Sequence, residues 1–530
     1  MLEEIRTEVL VIGSGGAGLR AALAAAQAGR KTLVVSKASA GRGTSTLISY
    51  GVLTGHEEGY GPARHREETL AAGRGINQAG LVEALVAEAP ERLKELLAWG
   101  LTADVYQGYL VSRGRPLALG AGLVGCLLAQ AREAGVGFKA GLQVARLLPR
   151  GPGLSVLAWQ EGRQAWLLIR AAAVVLASGG LGGLYLRHDN PGRILGEGYA
   201  LALEAGATLQ DMEFVQFYPL LLAEPGRPRI VISSPLDHLG RLVNQRGQDI
   251  LEKYGLTERP AAEKARDRLS QALHQEIEIE GGKVYLDLRR ADRKAWLDHP
   301  FSAPFLELLL DRCQGRERPL LVAPAVHFFM GGVSIDTDGR TGVPGLLACG
   351  EAAGGLHGAN RLGGNALTET IVFGARAGAA AAAWAGENPL AGTGSSREAE
   401  TLLAGLGPAS GEDGPARALL GRLKRTMWDR AGIVRSREGL EEATARVTGL
   451  EAELEELAAA GRAGPGEKVL ELRGALETAG LIIAAALRRE ESRGAHFRSD
   501  FPAQDDRRFL GRWKVRLDDR GQQKWWFEKI

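Results

Sequence analysis

Two glycine-rich segments, residues 10–26 and residues 346–370, do most to restrict how this chain can fold. The first reads LVIGSGGAGLRAALAAA. Val9 to Ile12 is a short apolar run suited to a buried parallel strand. Gly13-Ser14-Gly15-Gly16-Ala17-Gly18 fits the spacing G-x-G-x-x-G, and Leu19 to Ala28 is alanine-rich and helical. Gly13 permits a tight turn, Gly15 lets backbone approach a pyrophosphate, and Gly18 lets the helix pack close on its strand with its N-terminus facing the phosphates. One such turn alone fits an ordinary loop as well as a nucleotide site. The second segment, LLACGEAAGGLHGANRLGGNALTET, shifts the balance, because two grips so far apart in sequence suit one extended cofactor.

The second strand is expected at Lys31 to Ser36. It ends in Ser36-Lys37, where a typical dinucleotide site has Asp or Glu for the ribose hydroxyls, so a simple NAD site loses support. Composition bounds the remainder. With 530 residues, 45% hydrophobic and 24% charged, the chain has ample material for a large core and for two to four domains. A net charge of +2 gives no electrostatic case for nucleic acid or an anionic membrane as partner. Cys126, Cys313 and Cys349 are scattered without a C-x-x-C, so no metal ligand set, disulfide framework or cluster is expected, and buried thiols are the reading preferred. The first strand begins within the opening residues, leaving no room for a signal peptide, and apolar stretches such as Leu481 to Leu487 are too short to span a bilayer. A cytoplasmic protein is expected.

Changes in pattern divide the chain. Residues 1–225 alternate strand-like and helical runs, including the amphipathic stretch Leu81 to Trp99 and the buried strand Ala171 to Ala177, as in an α/β, doubly wound, Rossmann-like FAD-binding domain. Residues 226–322 are more charged and break that rhythm, as an inserted α+β capping domain would. Residues 323–390 return to it. A polar stretch from Glu387 to Gly414 reads as a linker, residues 415–500 as a C-terminal helical domain, and residues 501–530 as a tail whose Trp525-Trp526-Phe527 suits a strand pair or a docking segment.

From about residue 7 to residue 505 the chain resembles a known family, the flavoprotein subunits of fumarate reductase and succinate dehydrogenase together with L-aspartate oxidase. The resemblance is carried by HFFMGGVSID at His327 to Asp336, CGEAAGGLHGANRLGGNAL at Cys349 to Leu367, ASGG at Ala177 to Gly180, and SRGAHFRSDFPAQDD at Ser492 to Asp506. Locally the second glycine-rich segment is most similar to the A subunit of thiol-dependent fumarate reductase. The Ser36-Lys37 pair is also usual in this family.

The resemblance implies a flavin site. Gly13, Ser14, Gly15, Gly16, Ala17 and Gly18 would hold the pyrophosphate, and Ser36 and Lys37 the adenosine ribose region, with Glu197 among the cofactor contacts. Gly43, Thr44, Ser45, Thr46 and Gly51 would run along the isoalloxazine, and Ala177, Ser178, Gly179 and Gly180 would border the cofactor. Gly350 and Glu351 would meet ribityl or ribose hydroxyls, while Asn365, Ala366 and Leu367, at a helix start, would offer N–H groups to the pyrimidine end. Ser45 stands where respiratory members carry the histidine joined to FAD, which implies non-covalent FAD. Arg266 aligns with the family's catalytic, proton-exchanging arginine, although Ala265 replaces the proline usually before it; His327 and Arg361 match the carboxylate-binding residues.

The departures bear on substrate. Fumarate-active members carry Q-F-H-P-T, and this chain has Gln216-Phe217-Tyr218-Pro219-Leu220; their T-E-x-x-R relay has become Ile232, Ser233 and Leu236. Each charge-assisted hydrogen bond given up in this way is worth roughly 1.5–3 kcal/mol. His238 could replace the relay or be a surface histidine, and Tyr218 could bond a substrate carbonyl or line an apolar pocket. The expected substrate is therefore a small carboxylic acid with an apolar portion, or a larger acid, rather than fumarate. The expected reaction is FAD-dependent hydride transfer at a carbon next to a carboxylate. The alternatives are L-aspartate oxidase-like amino-acid oxidation, or an FAD electron-transfer subunit with a decayed substrate site. Electrons would leave through an iron–sulfur or other electron-transfer subunit, a diffusible carrier or oxygen.

Overall fold

The computed structural model describes residues 3–56, 59–114, 118–227, 229–232, 240–297, 303–305, 307–390, 414–464 and 466–530. The apolar run at Val9 lies within a strand, Glu3–Ile12, that sits at the centre of the main sheet between Thr32–Ser36 and Ala165–Leu176, parallel to both. Gly137–Ala140 extends the sheet beyond Thr32–Ser36. On the other side, Ala165–Leu176 is long enough to serve two neighbours. Its earlier part pairs antiparallel with Gly153–Gln160, and Val174 to Leu176 pair in parallel with Leu346–Ala348. Leu142–Arg150 completes the sheet.

Three parallel strands thus end level, with Ile12 and Ala348 both in register with Leu176. In open α/β sheets the crevice beyond such ends is where ligands bind. The helix Gly16–Gln27 leaves the first strand and packs along Asn365–Glu387, which leaves the last. Their close approach depends on glycine: a Cβ on Gly374 would lie 2.8 Å from the Ala17 carbonyl oxygen, and one on Gly378 would lie 2.2 Å from that of Ala21.

Val215–Leu222 and Leu320–Phe329 carry the chain into and out of the inserted segment. They pair antiparallel with each other, with irregular register around Pro219, which cannot donate to a ladder. Val284–Asp287 and Arg241–Asn244 extend this sheet to four strands, and helices Ala261–Lys264 and Arg266–His274 pack on it around a core of its own that includes Leu242, Leu269 and Trp296.

The region expected to be helical contains three helices, Gly414–Arg430, Arg437–Ala459 and Gly466–Arg488. The tail is a hairpin, Gly511–Leu517 with Gln523–Lys529, added to the edge of a sheet through Leu209–Gln210. Arg493 of the SRGAHFRSD motif joins Arg489 and Glu491, just before the motif, in a buried knot of charge. Arg489 bridges Glu213 at 2.5 Å and Glu491 at 2.9 Å, and Arg493 bridges Glu491 at 2.8 Å, all with fully buried side chains. Cys313 and Cys349 are buried as expected, but Cys126 is only half-buried, on the side of its helix facing the carbonyls of Leu96 and Trp99. Among the described residues no helix is long and apolar enough to cross a membrane.

Candidate active site

The first glycine-rich turn is shaped by steric limits. Gly13 has φ 113°, and a Cβ there would lie 2.1 Å from the Ala177 carbonyl oxygen; one on Gly18 would lie 2.0 Å from that of Gly13. Ser14 Oγ accepts from Gly41 N at 3.1 Å and Thr46 Oγ1 from Gly16 N at 3.0 Å, so residues 41–46 are fastened over the turn. The two glycine-rich segments touch, since a Cβ on Gly350 would come within 2.6 Å of Ala17 Cβ.

Both helices that begin here start bare. Gly15 and Gly364 occupy their N-cap positions, neither makes a side-chain cap, and neither helix has an acidic residue in its first turn. Uncapped N-termini leave N–H groups and a positive dipole end for an anionic or carbonyl oxygen. The Gly16–Gln27 helix faces the expected pyrophosphate position and Ala366-Leu367 lie in the first turn of the other. These residues fit the phosphate and pyrimidine ends of FAD. Gly43 and Gly51, at φ 64° and 67°, give residues 43–51 a path that side-chain-bearing residues rarely adopt, and Thr44 caps the short helix Ser45–Ile48.

Some expected contacts are spent within the protein. Lys37 pairs with Glu197 and lies 3.5 Å from Glu471, which Arg193 also bridges. Ser36 Oγ donates to the Ala38 carbonyl. The Asn365 side chain is buried, donating to Thr69 Oγ1 at 2.9 Å and meeting His65 Nε2 at 2.7 Å, so only its backbone is left for a ligand. Gly179 is open on its Cβ side, whereas a Cβ on Gly180 would lie 2.2 Å from the Glu351 carboxylate and one on Gly198 2.0 Å from Ser178 Oγ. Glu351 Oε1 accepts from Phe329 N at 3.0 Å, and burial pushes its carboxyl up to about 8.

Arg266, which the sequence leaves as either a solvated helix charge or a site residue, is buried and opens the helix Arg266–His274. Its guanidinium carbon lies 5.3 Å from the centre of the Tyr218 ring, and the Tyr218 and His327 rings are 5.5 Å apart. The Arg361 guanidinium carbon lies 4.6 Å from the ring centre of Phe328, the residue after His327. Burial and the charge of Arg266 pull Arg361 down to about 9, and its Nε has no hydrogen-bond partner. Among the described residues neither arginine has a carboxylate within ion-pairing distance. Asn360 ties the two sources together, donating to Asp267 at 3.2 Å while its own oxygen accepts from Gln216 at 2.5 Å.

The Tyr218 hydroxyl donates to the Ile232 carbonyl at 3.1 Å, so the tyrosine offers the site its ring. Tyr50 packs on Phe305 with ring centres 4.6 Å apart and planes tilted by 45°. His238, Ser233 and Leu236 lie outside the described residues. Sequence reasoning missed Asp189, whose Oδ2 meets His327 Nδ1 at 2.6 Å, and Asn190, which accepts from Ser45 Oγ at 3.2 Å. The Asp189-Asn190-Pro191 turn was the signal available, and it reads as an ordinary loop.

Comparison with known proteins agrees with this geometry. Residues 8–367 match the model of an FAD binding domain and residues 421–528 that of the fumarate reductase flavoprotein C-terminus. The chain is 34% identical to the A subunit of the CoM/CoB fumarate reductase of Methanothermobacter marburgensis, over 93% of this chain and 94% of that one. It is 36% identical to the L-aspartate oxidase of Caulobacter vibrioides, over 94% of each. Its fold matches the FrdA chain of Escherichia coli quinol fumarate reductase with a TM-score of 0.86 at 28% identity, covering all of this chain and 97% of the other. A family model that spans most of the chain and relatives more than 30% identical along nearly all of it agree, and the chain belongs to the FAD-dependent oxidoreductase family of fumarate reductase and succinate dehydrogenase flavoprotein subunits and L-aspartate oxidases.

Proposed function

We propose that the protein transfers hydride between flavin N5 and a carbon next to a carboxylate, on an acid with one carboxylate and an apolar portion. The observation that carries this reading is the pair Arg266 and Arg361, both buried, mutually repulsive and without a carboxylate partner among the described residues. Two cations confined in this way are stabilised by a bound anion, and a planar guanidinium matches a carboxylate with two parallel hydrogen bonds. When bound, FAD supplies the hydride acceptor or donor. The chain's own residues hold the acid. Tyr218, Tyr50 and Ile232 turn the second end of the pocket away from a second carboxylate, because the tyrosine hydroxyls are bonded to the carbonyls of Ile232 and Val231.

FAD is held without a covalent link, since Ser45 presents a hydroxyl that bonds Asn190. Electrons leave to a separate electron-transfer partner such as an iron–sulfur protein, the arrangement fitting a relative that is itself one subunit of a reductase. Stopped-flow bleaching of the flavin by succinate, L-aspartate and saturated monocarboxylic acids with alkyl or aryl arms tests the reading. Faster bleaching by the apolar acids is expected. Preference for succinate or L-aspartate, or bleaching by none of them, would sink it.

A further inference from the structure

The family relay that reprotonates the catalytic arginine is missing from this sequence, and a guanidinium in water holds its proton up to a pH of about 12. An imidazole exchanges one near neutrality. His327 is the imidazole that packs on the Tyr218 ring, which Arg266 also meets, and its surroundings are built. Asp189 Oδ2 meets His327 Nδ1 at 2.6 Å, while Asp189 Oδ1 accepts from Asn190 Nδ2 at 2.8 Å. Asn190 Nδ2 also donates to the His327 carbonyl at 3.1 Å, and its oxygen accepts from Ser45 Oγ. The backbone holds the same register: Asp189 N donates to the Val326 carbonyl at 3.2 Å and Val326 N to that of Arg187 at 3.0 Å. A carboxylate on Nδ1 leaves Nε2, which has no hydrogen-bond partner among the described residues, as the free nitrogen of the ring.

We infer that Asp189 is a positioning residue that holds a proton on His327 Nδ1, so that His327 Nε2 exchanges the substrate proton in place of the lost relay. The inference rests on the carboxylate reading above. In the oxidative direction the C–H bond next to the carboxylate breaks and its proton goes to Nε2. The neighbouring C–H bond breaks with its electron pair passing as hydride to oxidised flavin, and a carbon–carbon double bond forms. The imidazolium then faces the Asp189 carboxylate. The other charged and titratable groups around the pair are Arg266, beyond the Tyr218 ring, and Arg361, Glu351, His188 and the Tyr50 hydroxyl, all within reach of the Asp189 charge.

Two measurements on the FAD-loaded chain test it. Nitrogen-15 NMR of imidazole-labelled protein, with the His327 signal identified by its loss in His327→Gln, should show the Nδ1–H tautomer at high pH, and Asp189→Asn should shift the proton to Nε2. A wild-type His327 protonated on Nε2 overturns the inference whatever the substrate. In rapid-reaction bleaching by the best acid of the panel, Asp189→Asn should slow reduction by about 10²-fold or more, as the same exchange slows serine hydrolases by about 10⁴-fold. Acetate binding, followed through the flavin spectrum, should stay within about twofold, because the arginines that hold the anion are untouched. Wild-type bleaching rates in both Asp189→Asn and His327→Gln would overturn the inference and leave the carboxylate reading standing. Bleaching by no acid would remove both.

Discussion

At Gly18 a single methyl group separates a nucleotide-binding turn from a broken one. The added Cβ would sit 2.0 Å from a backbone oxygen that cannot rotate away. Gly18→Ala should cost about 1–3 kcal/mol in overpacking, which corresponds to about 5- to 150-fold in FAD affinity if the strain falls on the bound state; fluorescence titration of the FAD-free protein measures it. Arg361→Ala removes one of the two cations. Acetate affinity should then fall by the roughly 1.5–3 kcal/mol of a charge-assisted hydrogen bond, with the flavin spectrum unchanged, and unchanged affinity would show that the anion sits elsewhere. The glycines were legible in the sequence because their constraint is local, a turn of fixed length between a strand and a helix. Asp189 was not, because its partner is 138 residues away along the chain. Arg266 lay between the two cases: its neighbours Glu263, Lys264 and Arg268 look like a solvated surface, and only packing on the Tyr218 ring shows that it is buried.

Periodicity and composition located the elements well, with shifted ends. Ala79–Ala98 forms where the amphipathic stretch was expected, and the strand read at Ala171 to Ala177 is the final part of Ala165–Leu176, whose earlier residues are hidden by a tryptophan and an arginine in the pattern. What a strand or helix pairs with was less visible. Helix Gly466–Arg488 carries Glu477 into a cleft opposite Arg146 and Glu204, on Leu142–Arg150 and Glu197–Glu204. Burial first, and then the Glu204 charge, push Glu477 up to about 7. A carboxyl raised in the folded state binds its proton more tightly there than in the unfolded chain. Its contribution to stability is complete below the unfolded value and is lost as pH rises through about 7. Glu477→Gln should therefore raise the melting temperature at pH 8, by roughly 1–2 kcal/mol of stability, and leave it nearly unchanged at pH 4. Equal shifts at both pH values would rule out ionisation as the cause.

On the scale of the whole molecule, three regions meet through charge as much as through apolar surface. Glu213, from the strand-end region, and Arg489 with Glu491 and Arg493, from the C-terminal motif, are buried together. Removing one member leaves a buried charge without its partner, which costs about 3–5 kcal/mol. Glu213→Ala should lower thermal stability by that order, whereas Arg422→Ala, at the surface pair with Glu453, should change it little, and calorimetry of the two variants separates them. The inserted segment is fastened at its root by paired entry and exit strands and at its tip by Asn360 to Asp267. By itself the sequence determined the glycine turns, the two glycine-rich segments and the residue types available for an anion, because each follows from local sterics or from composition. Only the tertiary structure decided that Arg266 and Arg361 stand unpaired among the described residues, that the Tyr218 hydroxyl is already bonded, and that Asp189 stands behind His327. Burial and pairing depend on which distant segments the sheet brings to one end, and no local pattern records that.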